Sequence, residues 1–346
     1  MKTFISHLTP LSRAVAACFT ASTLLALSAP GAMAASWQEC NGNKIRWNNS
    51  WTNMYISTTS FPAGSVWDSK LQNAMWHWNN VKGAGFNFYV GRDTDGTHSN
   101  SNGVNEIYLH GSEAGGALAV TFSRYHCYWL FGWHYGRDEA DIAFNSNLAW
   151  STGAFNYANL GSPYSFEGVS LHELGHALGL GHEDRWMSNM NSYYPNSGPL
   201  GQFKEWDPIG DDRIGVRSLY PDATAETDVA GSAFKRTGAG TSGLVSSPLS
   251  AARGSTINIE FTFSNLSTAT KTFNIGFYLG GILLGTNTGA WGSAGATGTF
   301  SRALTIPAWV APGVYNLNFK VDYDGAMGEA NEGNNTQPMP RNITIY

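Results

Sequence analysis

Residues 172 to 182 read His-Glu-Leu-Gly-His-Ala-Leu-Gly-Leu-Gly-His, and no other stretch of the chain limits the fold so narrowly. Histidines at i and i+4 share one helix face, so His172 and His176 converge as two ligands of a single ion must. Leu171, Leu174 and Leu178 cluster on another face at about 100° per residue, which lets the same helix pack into a core. Gly179 permits the positive-φ turn that ends the helix and returns the chain, so that His182 supplies a third ligand. Three protein ligands leave one coordination position open, as a reactive zinc site requires and a closed structural one does not. Glu173 stands beside the first histidine, within reach of a water whose pKa zinc lowers to about 7. The competing reading is a helix whose histidines only fill a core.

Composition sets the surroundings of that helix. The chain has 346 residues, of which 13% are charged, with 40 Gly, 13 Trp and 15 Tyr; this suits a turn-rich, β-rich exported protein of two domains. Residues 1–34 have the pattern of a signal peptide: Lys2 and Arg13, an apolar core from Ala14 to Leu27, and Ala32-Met33-Ala34 as a small-x-small cleavage site. Val15-Ala16-Ala17-Cys18 resembles a lipoprotein box, but the apolar core lies mostly on its wrong side. The apolar run is too short to span a bilayer, so the expectation is a secreted protein, extracellular or periplasmic before export, and not membrane-spanning. Cleavage takes the net charge from −5 to −7 by removing two basic residues, which argues against nucleic-acid binding. It also leaves Cys40 and Cys127 as an even pair in an oxidising compartment, for which a disulfide is the default and a free Cys40 thiolate blocking a metal the alternative.

Two regions with different patterning follow, meeting near Pro221 to Glu226; the expected division is 35–221, a linker at 222–225, and 226–346. In the first, Lys44 to Thr59 reads as a strand, and Ser65 to Asp68 as a capping box opening a helix with Val66, Leu71, Ala74, Met75, Trp78 and Val81 on its apolar face. Short strands are expected at Asn105 to His110, Ala117 to Phe122 and Asp141 to Asn145, with an aromatic-rich loop holding His126, Cys127 and His134 between the last two. Further helices are expected over about Phe166 to Leu178 and Asp211 to Leu219, the latter stopped before Pro221. The second region alternates apolar and polar residues, as in Ile257, Ile259, Phe261, Phe263, then Phe273 to Leu279, then Tyr315 to Val321; it predicts an antiparallel β-sandwich.

The H-E-x-x-H-x-x-G-x-x-H stretch, with Met190 eight residues beyond His182, resembles the metzincin zinc endopeptidases. That spacing is similar to the matrixin branch, as are Asn105-Glu106-Ile107, Gly115-Gly116-Ala117-Leu118-Ala119, Ala140-Asp141-Ile142 and Asp211 to Tyr220 in the same order. Glu183 after the last histidine is an astacin-like touch, and serralysin-type calcium repeats are missing. The resemblance implies an α+β domain, a twisted mixed sheet with three helices, that hydrolyses peptide bonds. It implies one catalytic zinc on His172, His176 and His182, Glu173 as general base and then acid, and Met190 as an apolar floor. Leu118 and Ala119 would pair with a protein or peptide substrate along a sheet edge. Tyr193 and Tyr194 replace the family's specificity turn, and they line a side-chain pocket or simply pack.

Departures from the pattern bound this reading. Ala119-Val120-Thr121 lacks the histidine of a second structural zinc, so none is expected. Asp93, Asp95, Asp138 and Glu139 are oxygen donors for calcium, with solvated loop carboxylates as the alternative. Only Ala35 and Ser36 separate Ala34 from Trp37, which leaves no room there for an inhibitory prodomain. Residues 226 to 346, through Phe263-Ser264-Asn265, Pro312-Gly313-Val314-Tyr315 and Glu329-Ala330-Asn331-Glu332-Gly333-Asn334-Asn335, resemble the CARDB module, an immunoglobulin-like domain of cell-surface and secreted proteins. Such a module would hold a monomeric enzyme against a surface or matrix ligand. The competing class is an adhesion or carbohydrate-binding protein built on a protease-like scaffold, against which the presence of Glu173 argues.

Overall fold

The computed structural model describes residues 36–94, 101–153, 163–182, 189–190, 192, 208, 210–236, 249–338 and 342–346. The expected signal peptide, Cys18, Asp95, Glu183, Tyr193 and Tyr194 lie outside them.

The first half is an α+β domain. Two short strands, β1 (Glu39–Cys40) and β2 (Asn43–Lys44), form a hairpin ahead of β3 (Trp51–Ser57). The single strand expected from Lys44 to Thr59 is therefore interrupted, since Trp47 leaves that line to make a bridge with Arg137. Helix α1 (Val66–Asn79) begins at Ser65, whose hydroxyl accepts from Asp68 N at 3.2 Å. The reciprocal half of the cap reaches one residue further, because Asp68 Oδ2 accepts from Gly64 N at 2.9 Å. Leu71, Ala74, Met75, Trp78 and Val81 are buried as expected, but Val66 in the first turn is 52% exposed.

Strands β4 (Asn87–Asp93), β5 (Glu106–His110), β6 (Ala119–Trp129) and β7 (Trp133–Asn145) complete a mixed five-stranded sheet in the order β4-β3-β5-β7-β6. Only β6 runs antiparallel to its neighbour, and it forms the sheet's edge. The aromatic loop expected between them is instead a continuation of β6 and β7 as a paired ribbon, from Tyr125↔Arg137 to Trp129↔Trp133. Cys40 and Cys127 form a disulfide that ties this ribbon to β1.

Two short strands, β8 (Trp150–Ser151) and β9 (Tyr164–Ser165), lead into α2 (Phe166–Leu178), and α3 (Gly210–Leu219) closes the domain. The core forms where α1 and α2 pack on the sheet, and Phe61, Phe144 and Phe166 meet there with ring centroids 4.7 to 5.9 Å apart. Leu171, Leu174 and Leu178 are each fully buried in it, worth about 1.5–3 kcal/mol apiece in area removed from water. Trp78 donates its indole N–H to Leu171 O at 2.9 Å, locking α1 against α2.

The second half is all-β apart from one 3₁₀ turn at Glu332–Asn334 among the described residues. It comprises β10 (Val229–Arg236), β11 (Leu249–Ala251), β12 (Thr256–Asn265), β13 (Lys271–Leu279), β14 (Ile282–Gly292) and β15 (Thr297–Thr305). It ends with β16 (Gly313–Tyr315), β17 (Leu317–Val321), β18 (Thr336–Pro338) and β19 (Ile343–Ile345). They form sheets ordered β10-β12-β15, β14-β13-β17-β18 and β11-β19-β16. Phe261, Phe277 and Phe319 fill the space between the first two. The strand expected over Tyr315 to Val321 is split: Tyr315 pairs with β19, whereas Leu317 to Val321 pair with β13. Gly280 and Gly281, at φ of 54° and 91°, make the tight turn between β13 and β14 that only residues tolerant of positive φ allow.

Candidate metal centre

The centre is built on α2 and the turn that ends it. Ser165 caps the helix by accepting from Gly168 N at 3.2 Å. Gly179 terminates it at a φ of 114°, where the chain turns back while Leu180 N still bonds Gly175 O at 3.0 Å. The turn carries His182 back over the helix, so His176 Nε2 lies 3.1 Å from His172 Nε2 and 3.2 Å from His182 Nε2. The ring centroids stand 4.7, 4.8 and 5.3 Å apart.

The outer ring nitrogens explain why the inner ones converge. His172 Nδ1 donates to Asn189 O at 2.6 Å, and His176 Nδ1 donates to Leu180 O at 2.9 Å. A carbonyl only accepts, so in the neutral ring each Nε2 is left as a lone pair turned inward. Burial, together with the neighbouring His172, holds His176 well below the usual histidine pKa, hence neutral. Lone pairs meeting at such distances are repulsive without a shared electrophile, and a divalent cation with nitrogen ligands fits the set.

Glu173 lies on the same helix and is 4% exposed. Burial raises its carboxyl to about 7, opposed by a hydrogen bond from Thr121 and by nearby His182. The Thr121 hydroxyl lies 2.6 Å from Glu173 Oε2 and 3.1 Å from its backbone oxygen. Thr121 belongs to β6, so this contact places the sheet edge directly beside α2. Ala119 starts that edge, and the Leu118 carbonyl is turned inward, accepting from Asn145 N at 3.0 Å. The outer side of β6 has no partner strand among the described residues.

Met190 is buried against the helix where Gly175 has no side chain, and a Cβ added there would overlap its sulfur. Asp212 on α3 positions that turn. Its carboxylate accepts from Asn189 N at 2.9 Å, from Asn189 Nδ2 at 3.2 Å and from Met190 N at 3.4 Å. Thr121, Asp212 and the Asn189 carbonyl carry no role in the sequence reading. Asp212 stands within a quoted landmark, and Thr121 is two residues past Ala119, but their partners are far along the chain.

Two other groups of acidic residues, the first of them expected as calcium donors, have different surroundings. Asp138 accepts from His126 Nδ1 at 2.8 Å, and Glu139 accepts from Gly103 N at 2.8 Å. In the second domain, Asp322, Glu329 and Glu332 bring carboxylate oxygens within 4.8 Å of one another. Asn335 Nδ2 donates to Glu329 and Glu332, and Ala326 N and Met327 N donate to Asp322.

An α+β domain thus gathers three histidines able to hold a metal ion, with a buried glutamate beside them, on one helix and its turn. The matrixin family model matches residues 47–221, half of the chain, and the chain belongs to that family. The CARDB family model matches residues 244–338. Human matrix metalloproteinase-25 is 35% identical over 82 residues, which cover 24% of this chain and 14% of that protein. The match therefore spans a small part of that relative. Among solved structures, the crystal structure of the CARDB domain of a Pyrococcus furiosus protein, in complex with di-metal ions, is 16% identical. It covers 36% of this chain and 97% of its own at a TM-score of 0.28. A solution structure of the same domain is 18% identical, covering 35% of this chain and 95% of its own at a TM-score of 0.27. Membership of the matrixin family implies zinc binding. Among the described residues no helix is long and apolar enough to cross a membrane.

Proposed function

We propose that the chain is a secreted zinc endopeptidase whose ion is held by His172, His176 and His182. The observation that carries this reading is the convergence of three Nε2 atoms beside a buried carboxylate that Thr121 holds in place. Zinc bound there supplies Lewis-acid activation of water and of the scissile carbonyl. Glu173, desolvated and aimed by Thr121, accepts the proton of the attacking water and returns it to the leaving amine. Met190 keeps the floor of the site apolar, and Asp212 fixes the Asn189 carbonyl that orients His172. Substrate adds to the outer side of β6 from Ala119 onward as an extended strand.

Around this centre we place residues 1–34 as an export signal removed before Ala35, 35–221 as the protease domain, and 226–346 as an immunoglobulin-like module that docks the enzyme on a surface or matrix component. The pairing of Cys40 with Cys127 supports an oxidising destination. Calcium remains a candidate for the carboxylates of the first domain.

The test is cleavage of casein and of a short quenched peptide, with zinc content measured in parallel. Wild type should carry about one zinc per chain, and Glu173→Gln should keep it while losing about 10²- to 10⁴-fold in kcat/KM. Undiminished cleavage by the variant, or by wild type stripped of zinc, would overturn the reading. N-terminal sequencing of exported protein should begin near Ala35.

A further inference from the structure

The edge strand does not end at the candidate centre. From Thr121, which touches Glu173, β6 continues for eight residues to Trp129, and at the antiparallel rise this is roughly 25 Å. Among the described residues it pairs only with β7, with a register shift between Arg124 and Tyr125. This projecting ribbon is cross-linked to β1 through Cys127, so it is held in place rather than left to fold back.

Its surface is unusual for a part of the chain bathed in solvent. Phe131 at the tip is 94% exposed and has a φ of 55°, a left-handed conformation costly for a bulky side chain. Trp129 is 65% exposed, and Tyr125, Tyr128, Leu130 and Trp133 are exposed as well. Tyr128 stacks on His134 at 5.1 Å, which stiffens one face. From Tyr125 to Gly136 there is no Lys, Arg, Asp or Glu, so the complementary partner is uncharged and apolar. Apolar surface displayed on a rigid support marks an interaction site.

We infer that this ribbon is a remote substrate-binding site continuous with the cleavage site. A polypeptide pairing with β6 beside Glu173 runs on along the same edge, and the ribbon aromatics grip an uncharged, apolar stretch about eight residues from the scissile bond. The inference rests on the protease reading and names the substrate class: extended or unfolded chains with apolar segments, rather than compact folded loops.

Three quenched peptides test it: one of eight residues around a cleavable bond, and two that add ten residues with alternating Leu and Phe on the N-terminal or the C-terminal side. The double variant Trp129→Ala/Phe131→Ala should cleave the short peptide at the wild-type rate. Its kcat/KM for at least one extended peptide should fall about tenfold, the size of a truncated interface anchor. Phe131→Gly, which suits the left-handed backbone, should show part of the same loss and guards against a folding artefact. Equal rates of variant and wild type on all three peptides would overturn the remote site and leave the protease reading standing. Failure of wild type to cleave any of the three peptides would overturn the protease reading instead. Phosphatidylcholine vesicles bound by wild type and not by the variant, with unchanged peptide rates, would assign the ribbon to lipid and overturn the inference.

Discussion

Gly175 contributes to the centre by lacking a side chain. Met190 occupies the space its Cβ would take, and the Trp78 ring lies 3.0 Å from that position. Gly175→Ala should force Met190 away and cost about 1–3 kcal/mol by overpacking, visible as a lower Tm and weaker zinc retention. Asp212→Ala should remove the acceptor for Asn189 N and Met190 N and loosen the carbonyl that orients His172. A loss of about 10- to 100-fold in zinc affinity is expected, as for outer partners of metal ligands, measured by competition with a chromogenic chelator. At this scale His172, His176 and Glu173 were legible from helix spacing and His182 from the turn at Gly179, whereas Met190 was legible only through the matrixin resemblance. Thr121 and Asp212 were not, because they act across 52 and 23 residues of sequence, and a lone Thr or Asp has no pattern to mark it.

Among the elements, helix α2 was readable to its ends, from an apolar stripe that stops at Gly179; the structure adds Ser165 as its N-cap. The β6–β7 ribbon was not. Both of its faces meet solvent and both carry aromatics, so no burial contrast writes an alternating pattern into the sequence. The disulfide anchors the ribbon to β1 and closes a loop of 87 residues in sequence separation. Replacing Cys40 and Cys127 together by Ser should cost about 4.6 kcal/mol on the chain-entropy account, read as a drop in Tm that reductant reproduces in wild type. In the second domain the break between β16 and β17 was hidden for a related reason. Tyr315, Leu317, Phe319 and Val321 keep one alternating phase, yet pairing partners decide which sheet each joins.

At the level of the whole molecule, the two halves meet through α3. Arg213 and Arg217 both contact Glu226 Oε2 at 2.7 Å, and Arg217 also donates to the Leu266 and Ser267 carbonyls. Arg217→Ala should cost about 1–2 kcal/mol, less than stripping a buried charge bare because Arg213 stays on Glu226. Faster proteolysis around residues 222–228, with short-peptide cleavage unchanged, would register it. Asp228 lies just past this junction, facing Arg213, Glu226, Glu329 and Asn334. Burial raises its carboxyl from 3.8 to about 6, against the pull of Arg213. A raised folded pKa means its contribution to stability is full below about 4 and is lost as pH rises through about 6. Asp228→Asn should therefore flatten the fall in Tm across that window in a thermal melt.

The local sequence by itself determined the histidine-bearing helix and made a Cys40–Cys127 disulfide the default, because periodicity, cap residues and parity are written within short stretches. The tertiary structure alone decided which carboxylate and hydroxyl stand behind the centre, that the aromatic segment projects as a stiff edge, and how the halves join. Those depend on contacts between residues remote in sequence, and such contacts leave no local pattern to read.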